Sequence, residues 1–211
     1  VMTLDDDRAI ARGVGSLPAS LDDLGIEVST GRVVDFRVRE HLRDKPSART
    51  APLIYPCHMV DGAVVWPKLD GKKPNAIASG PGTRDLMVPR GSYVLVRRFS
   101  SKEERRRIVA AVLDPKSIDA EEFAFENHLN YFHVAGGGLP IMVARGLAAF
   151  LNSTPIDRYF RQFNGHTQVN ASDLRSLRYP TRKSLARIGT KIRDVFPEQD
   201  AVDAIVAETM S

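Results

Sequence analysis

The hydrophobic period of this chain changes once, at Gly136-Gly137-Gly138. Before that point, short apolar runs alternate with polar residues or stand between glycines and prolines, which is the pattern of strands. After it, apolar residues recur every three or four positions, which is the pattern of amphipathic helices. The order predicts an α+β fold: a strand-rich body built on a twisted mixed or antiparallel sheet, followed by a helical C-terminal part.

Residues 1–28 are expected to be a linker or the remnant of a preceding domain, because Gly13, Gly15, Pro18 and Gly25 interrupt any long period; a short helix is expected over residues 20–24. Strands are expected at residues 32–37, 52–56 and 63–66, the last two forming a hairpin through the Asp61-Gly62 turn. Residues 71–84, rich in Gly, Pro, Lys and Ser, read as an exposed loop. Further strands are expected over 92–99, 106–113 and 123–134. In the last third, helices are expected over 141–151, from Thr154 as cap to about Phe163, from Asn170 or Ser172, over 181–195, and over 198–210. The main body then spans residues 29–195, with 196–211 as a C-terminal helix or tail.

Of the 211 residues, 43% are apolar and 27% charged, the balance of a soluble globular protein. No stretch approaches the roughly 18 apolar residues of a membrane span. The acidic N-terminus lacks a signal-peptide core, and the single cysteine, Cys57, excludes an internal disulfide, so the cytoplasm is the expected compartment. Charge is unevenly placed. Arg97, Arg98, Lys102, Arg105, Arg106 and Arg107 form one basic block; Arg175, Arg178, Arg182, Lys183, Arg187, Lys191 and Arg193 form a second. Acidic residues flank both. Two such blocks predict a polyanion-facing surface, or else two solvated faces with local counter-charges.

Several segments carry a resemblance. They are the run from Ser29 through Gly31-Arg32-Val33-Val34-Asp35-Phe36-Arg37, then Tyr55-Pro56-Cys57-His58, Trp66-Pro67-Lys68, and Lys72-Lys73-Pro74-Asn75-Ala76. Tyr93-Val94-Leu95-Val96-Arg97-Arg98-Phe99 with the basic block, Glu126-Asn127-His128-Leu129-Asn130-Tyr131, and Gly165-His166-Thr167-Gln168-Val169-Asn170 followed by Asp173-Leu174-Arg175 complete the set. In this order, over residues 29–192, they resemble the C-terminal target-recognition region of adenine-N6 DNA methyltransferases from type II restriction–modification systems. The resemblance implies sequence-specific binding of double-stranded DNA. It also implies a catalytic methyltransferase domain as partner, in the same or a separate chain, which binds S-adenosylmethionine and holds the flipped adenine with an Asn-Pro-Pro-Tyr motif. This sequence holds neither that motif nor a Phe-x-Gly-x-Gly cofactor motif, so no cofactor and no catalytic residue are expected within it.

The candidate DNA-binding residues follow from charge and hydrogen-bonding capacity. Arg97, Arg98, Lys102, Arg105, Arg106 and Arg107 sit where one strand ends and the next begins, and arginine suits phosphates and guanine edges. Strand alternation would turn Arg105 and Arg107 one way and Arg106 the other, so only part of the set is expected to reach DNA. His166, Thr167 and Gln168 join two helices and could read bases; equally, Asn170 could cap the next helix while its neighbours tie the loop down. Lys72 and Lys73 suit phosphate contact or simple loop solubility. Asn127 and His128, with Asn130, are groove readers or the polar face of a strand. Gly136-Gly137-Gly138 lacks the spacing of a dinucleotide fingerprint and reads as a tight connection.

Two other classes stay open. A metal-dependent nuclease would use Asp70-Gly71-Lys72 or Asp114-Pro115-Lys116, though neither has a clear second acidic residue. Cys57-His58 could supply two metal ligands at most, and a Ser-His-Asp triad has no nucleophile elbow to mark it. A protein–protein module would dock a partner on the amphipathic 181–195 segment.

Overall fold

Tyr93–Arg97 (β8) is apolar on both faces, and the architecture explains why. A computed structural model describes residues 4–100, 103–164, 167–192 and 195–210. Among these are seven α-helices and eleven strands in two mixed sheets. The strands are Glu27–Thr30 (β1), Leu42–Arg43 (β2), Thr50–Ile54 (β3), Met59–Val60 (β4), Ala63–Val64 (β5), Ala76–Ala78 (β6), Met87–Pro89 (β7), β8, Ala110–Leu113 (β9), Glu122–Phe125 (β10) and Leu129–His133 (β11). The six-stranded sheet runs β1-β11-β8-β9-β5-β4 and the five-stranded sheet β2-β6-β3-β10-β7. Val94 and Val96 of β8 face the helices, whereas Tyr93 and Leu95 face the second sheet with Phe125 and Tyr131. Period-two alternation thus puts one apolar set into each of two cores.

The helices are Leu4–Gly15 (α1), Leu21–Leu24 (α2), Ile141–Leu151 (α3), Thr154–Phe163 (α4), Ala171–Ser176 (α5), Arg182–Lys191 (α6) and Gln199–Met210 (α7). Helix α3 lies against the six-stranded sheet, and α6 crosses it where two glycines meet. A Cβ on Gly146 would lie 1.8 Å from the Leu185 carbonyl oxygen, and one on Gly189 would lie 1.7 Å from that of Met142. Glycine at both positions lets the backbones touch, and Leu185, Ile188 and Ile192 complete the packing. The apolar face of α6 is therefore packed into this chain's own core.

Several expectations need correction. Residues 4–28 form α1, α2 and the start of β1; they send Val14, Leu21, Leu24, Ile26 and Val28 into the helical core, with Ser20 closing a capping box on Asp23. The 32–37 strand is a single parallel bridge at Val33 followed by a 3-10 turn over Asp35–Arg37. Met59–Val60, not residues 52–56, pairs with Ala63–Val64, because the positive φ of Asp61 and Gly62 makes a two-residue turn that joins immediate neighbours. The 71–84 loop contains β6, whose Ala76 and Ile77 are fully buried. Residues 123–134 break at Glu126 into two strands of different sheets. Helix α4 begins at Thr154 with Ser153 as cap, since the Thr154 amide and hydroxyl donate to Asp203 at 2.7 and 2.6 Å. Through that contact, and through Val202 and Val206, α7 joins the same core.

The α3–α6 crossing is directly testable. Gly146→Ala or Gly189→Ala should cost about 3 kcal/mol from overpacking, lowering Tm by roughly 6–12 °C. Gly13→Ala in α1, where a Cβ would meet nothing within 4 Å, should instead stabilise by about 0.5–1 kcal/mol. Thermal denaturation of the three variants checks both signs.

Candidate nucleic-acid interface

Three segments remote in sequence meet where β8 ends. The Arg98 amide donates to the His128 carbonyl at 2.8 Å, which extends the β8–β11 ladder to the Glu126–His128 turn. The Val169 amide donates to the Arg98 carbonyl at 2.7 Å and the Ser100 amide to that of Thr167 at 3.1 Å. Phe99 and Gln168 lie opposite each other in this bridge.

Buried polar groups hold the segments from beneath. Asn130 donates to the Val169 carbonyl at 2.7 Å and accepts from the Thr30 hydroxyl at 3.1 Å. Asn164 donates to the Gln168 carbonyl at 3.2 Å and to Asp173 at 3.1 Å, and accepts from the Arg107 guanidinium at 2.8 Å. Asn170 and Asp173 close a capping box on α5. Asn170 is thus structural, as one of the two sequence readings had it.

On the surface above, Arg98, Phe99, Asn127, His128, Thr167 and Gln168 are gathered together. Phe99 stacks at 4.9 Å on the His128 ring, and the Arg98 guanidinium lies 5.7 Å over Phe99 while donating to the Asn127 carbonyl at 3.3 Å. A shallow cleft lined by Pro56, Arg97, Phe99, Glu104 and His128 adjoins them. The surface continues toward Asp35, because the Asn127 amide donates to the Val33 carbonyl at 2.9 Å. Asp35 accepts from the Tyr55 hydroxyl at 2.8 Å and from Lys73 at 3.1 Å. Phe36, 66% exposed, stands beside it with Arg37 over its ring. Sequence reasoning missed Phe36 and Phe99; aromatics flanked by arginine were the available signal.

Many cations of the two basic blocks are engaged within the protein. Arg107 is buried, donating to the Ser100 carbonyl and Asn164, so it supports the surface and cannot reach a ligand. Arg106 turns toward α4, donating to Thr154 at 3.3 Å, and burial pulls its guanidinium below the usual value. With Arg105 it lines a separate cleft of about 240 Å³ beside Asn152 and Phe196. Arg97 is ion-paired with Glu104. Lys72 and Lys73 are exposed, with Lys73 held by Asp35. Lys102 and His166 lie outside the described residues. In the second block, Arg175 donates to Val28, Arg178 to Leu17 and Pro18, and Arg182 to Leu24, all at backbone carbonyls. Those cations hold the N-terminal segment, and Arg182 also sits at the carbonyl end of α2, where positive charge is favoured.

Other chemistries find poor geometry. Both His58 ring nitrogens are used, Nδ1 accepting from the Tyr55 amide at 2.9 Å and Nε2 facing Asn75 Oδ1 at 3.1 Å, so His58 is not free to ligate a metal. Asp114 is engaged by the Lys116 amide and Arg145. Ser29 Oγ lies 2.8 Å from His133 Nε2, yet His133 Nδ1 accepts from the Gly136 amide at 3.1 Å. Nε2 therefore carries the proton and cannot act as the base for Ser29.

Burial lowers the pKa of His58 from its ordinary value of 6.5. The unfolded chain then binds more protons below that value, so stability tied to His58 is present above about 6.5 and is lost as pH falls from there through the lower folded-state value. Denaturant titrations of wild type and His58→Gln at several pH values should show wild type losing stability relative to the variant over that window.

The fold and surface define an α+β module that presents a basic, aromatic and amide-bearing face. The chain matches no protein-family model. It is 49% identical over 210 residues to the type II methyltransferase M.PstI of Providencia stuartii, a match covering 100% of this chain and 41% of that protein. It is 54% identical over 170 residues to the type II methyltransferase M.BsuBI of Bacillus subtilis, covering 81% of this chain and 34% of that protein. The chain thus spans between 34% and 41% of the length of these curated relatives. No described helix is long and apolar enough to cross a membrane.

Proposed function

We propose that this chain is the DNA target-recognition part of a restriction–modification adenine-N6 methyltransferase, and that it reads a specific duplex sequence. The observation that carries this reading is the meeting of the β8 end, the Glu126–His128 turn and the 167–169 segment in one exposed face. That face offers a guanidinium, an imidazole and amides, the groups that pair with base edges, alongside cations suited to phosphates. The two type II methyltransferase relatives agree in class.

On this reading Arg98, Asn127, His128, Thr167 and Gln168 meet the bases or the adjacent backbone, with Lys72, Lys73 and Arg97 at the margin. S-adenosylmethionine and the methyl-transfer residues belong to a catalytic domain outside these residues. That domain flips the target adenine from the site this face selects.

Fluorescence anisotropy with duplex DNA at several salt concentrations tests the binding. Affinity should fall steeply with salt, and Arg98→Ala should reduce the log–log slope by about 0.9 for each phosphate that the variant leaves unneutralised. A flat salt response would reject a phosphate-binding surface. Calorimetric titration of the 211-residue chain with S-adenosylmethionine should show no saturable micromolar site; finding one would place the cofactor here instead.

A further inference from the structure

The Glu126–His128 pair has a geometry that goes further than a polar turn. Glu126 is 1% exposed, yet its carboxylate makes two bonds to one residue: Oε2 accepts the His128 amide at 2.9 Å and Oε1 meets His128 Nδ1 at 2.5 Å. The His128 side chain is 48% exposed, with its ring held against Phe99. A buried carboxylate therefore fixes the ring from its Nδ1 edge and turns Nε2 outward.

Resting on the DNA-reading proposal above, we infer that Glu126 is a positioning residue that sets His128 Nε2 as a hydrogen-bond acceptor for the exocyclic amino group of an adenine or cytosine in the major groove. The proton count gives the reason. In the neutral ring a carboxylate at Nδ1 demands that Nδ1 carry the hydrogen, which leaves the lone pair on Nε2. In the major groove the amino donors are adenine N6 and cytosine N4, whereas guanine and thymine offer acceptors at their O6, N7 and O4 atoms. An acceptor fixed in this way favours the first pair and leaves the second unpaired.

The same geometry makes Glu126→Gln an inversion rather than a deletion. The His128 amide must still donate to residue 126, so the glutamine oxygen takes the Oε2 position. Its NH₂ then faces Nδ1 and donates to it, which moves the ring hydrogen to Nε2. The exposed nitrogen becomes a donor, which guanine and thymine can now accept at O6, N7 or O4, adenine at N7, and cytosine not at all.

The experiment is selection of duplexes from a random pool by the full-length protein, as wild type, His128→Ala and Glu126→Gln. Wild type should enrich one sequence. His128→Ala should lose about tenfold of the discrimination at one position, within the range for a single base-edge contact. At that same position Glu126→Gln should admit guanine or thymine, which the wild type rejects, and should reject cytosine. A wild type that selects no sequence overturns the recognition reading and this inference together. A selected site whose every position survives His128→Ala overturns the inference and leaves the recognition reading standing. Imidazole ¹⁵N spectra of the free wild type decide independently of DNA and of whether Glu126→Gln folds: neutral His128 should carry its hydrogen on Nδ1, and an Nε2–H ring would overturn the assignment.

Discussion

Just beyond Arg97 the chain bends at Arg98 and is held there by three backbone hydrogen bonds, one to His128 and two to Thr167 and Val169. Without those bonds the three segments would be separate loops. With them, they form one rigid surface at the end of the six-stranded sheet. The supports are buried polar side chains, Asn130, Asn164 and Arg107, each bonded to the backbone or to another of the set. Removing one would leave a buried partner unsatisfied, at about 1–3 kcal/mol. That exceeds what an exposed ion pair such as Lys73–Asp35 supplies. The surface is therefore held by desolvated hydrogen bonds, and its outward cations can answer to a ligand's charge.

The fold class was legible in the sequence wherever the signal was local and repeated. The alternation of β8, the helix over Ile141–Leu151 and the amphipathic Arg182–Lys191 helix all follow from apolar spacing. Pairing was not legible. Glu122–Phe125 and Leu129–His133 read as one strand because Glu126 and Asn127 fit an alternating pattern, yet they belong to different sheets. The N-terminal helices were obscured by glycines that end them rather than prevent them; Gly25 is the left-handed cap of α2. The Ala76–Ala78 strand was hidden in a Gly- and Lys-rich stretch whose anchor, Asn75, is recognisable only by its partners: it takes bonds from the Trp66 indole and the Lys68 amide.

The candidate site was legible in part, for a related reason. Sequence gives the count of cations but not their direction. Arg98 and Arg107 lie nine positions apart in one basic run, and one is at the surface while the other is buried against Ser100 and Asn164. The second block looked equally suited to a polyanion, but Arg175, Arg178 and Arg182 terminate carbonyls of the N-terminal segment. A guanidinium satisfies an orphan carbonyl as readily as a phosphate, so charge clusters alone do not locate an interface. The aromatic neighbours Phe99 and Phe36, exposed beside arginines, distinguish the first surface from the second.

On the proposed reading, one face built from three distant segments meets DNA as a unit. Backbone hydrogen exchange of the full-length protein, measured with and without saturating duplex DNA, tests it most directly. The account predicts slowed exchange together at residues 97–100, 126–128 and 167–169, with residues 175–191 unchanged. Slowing confined to 175–191, or spread evenly over the chain, would contradict it.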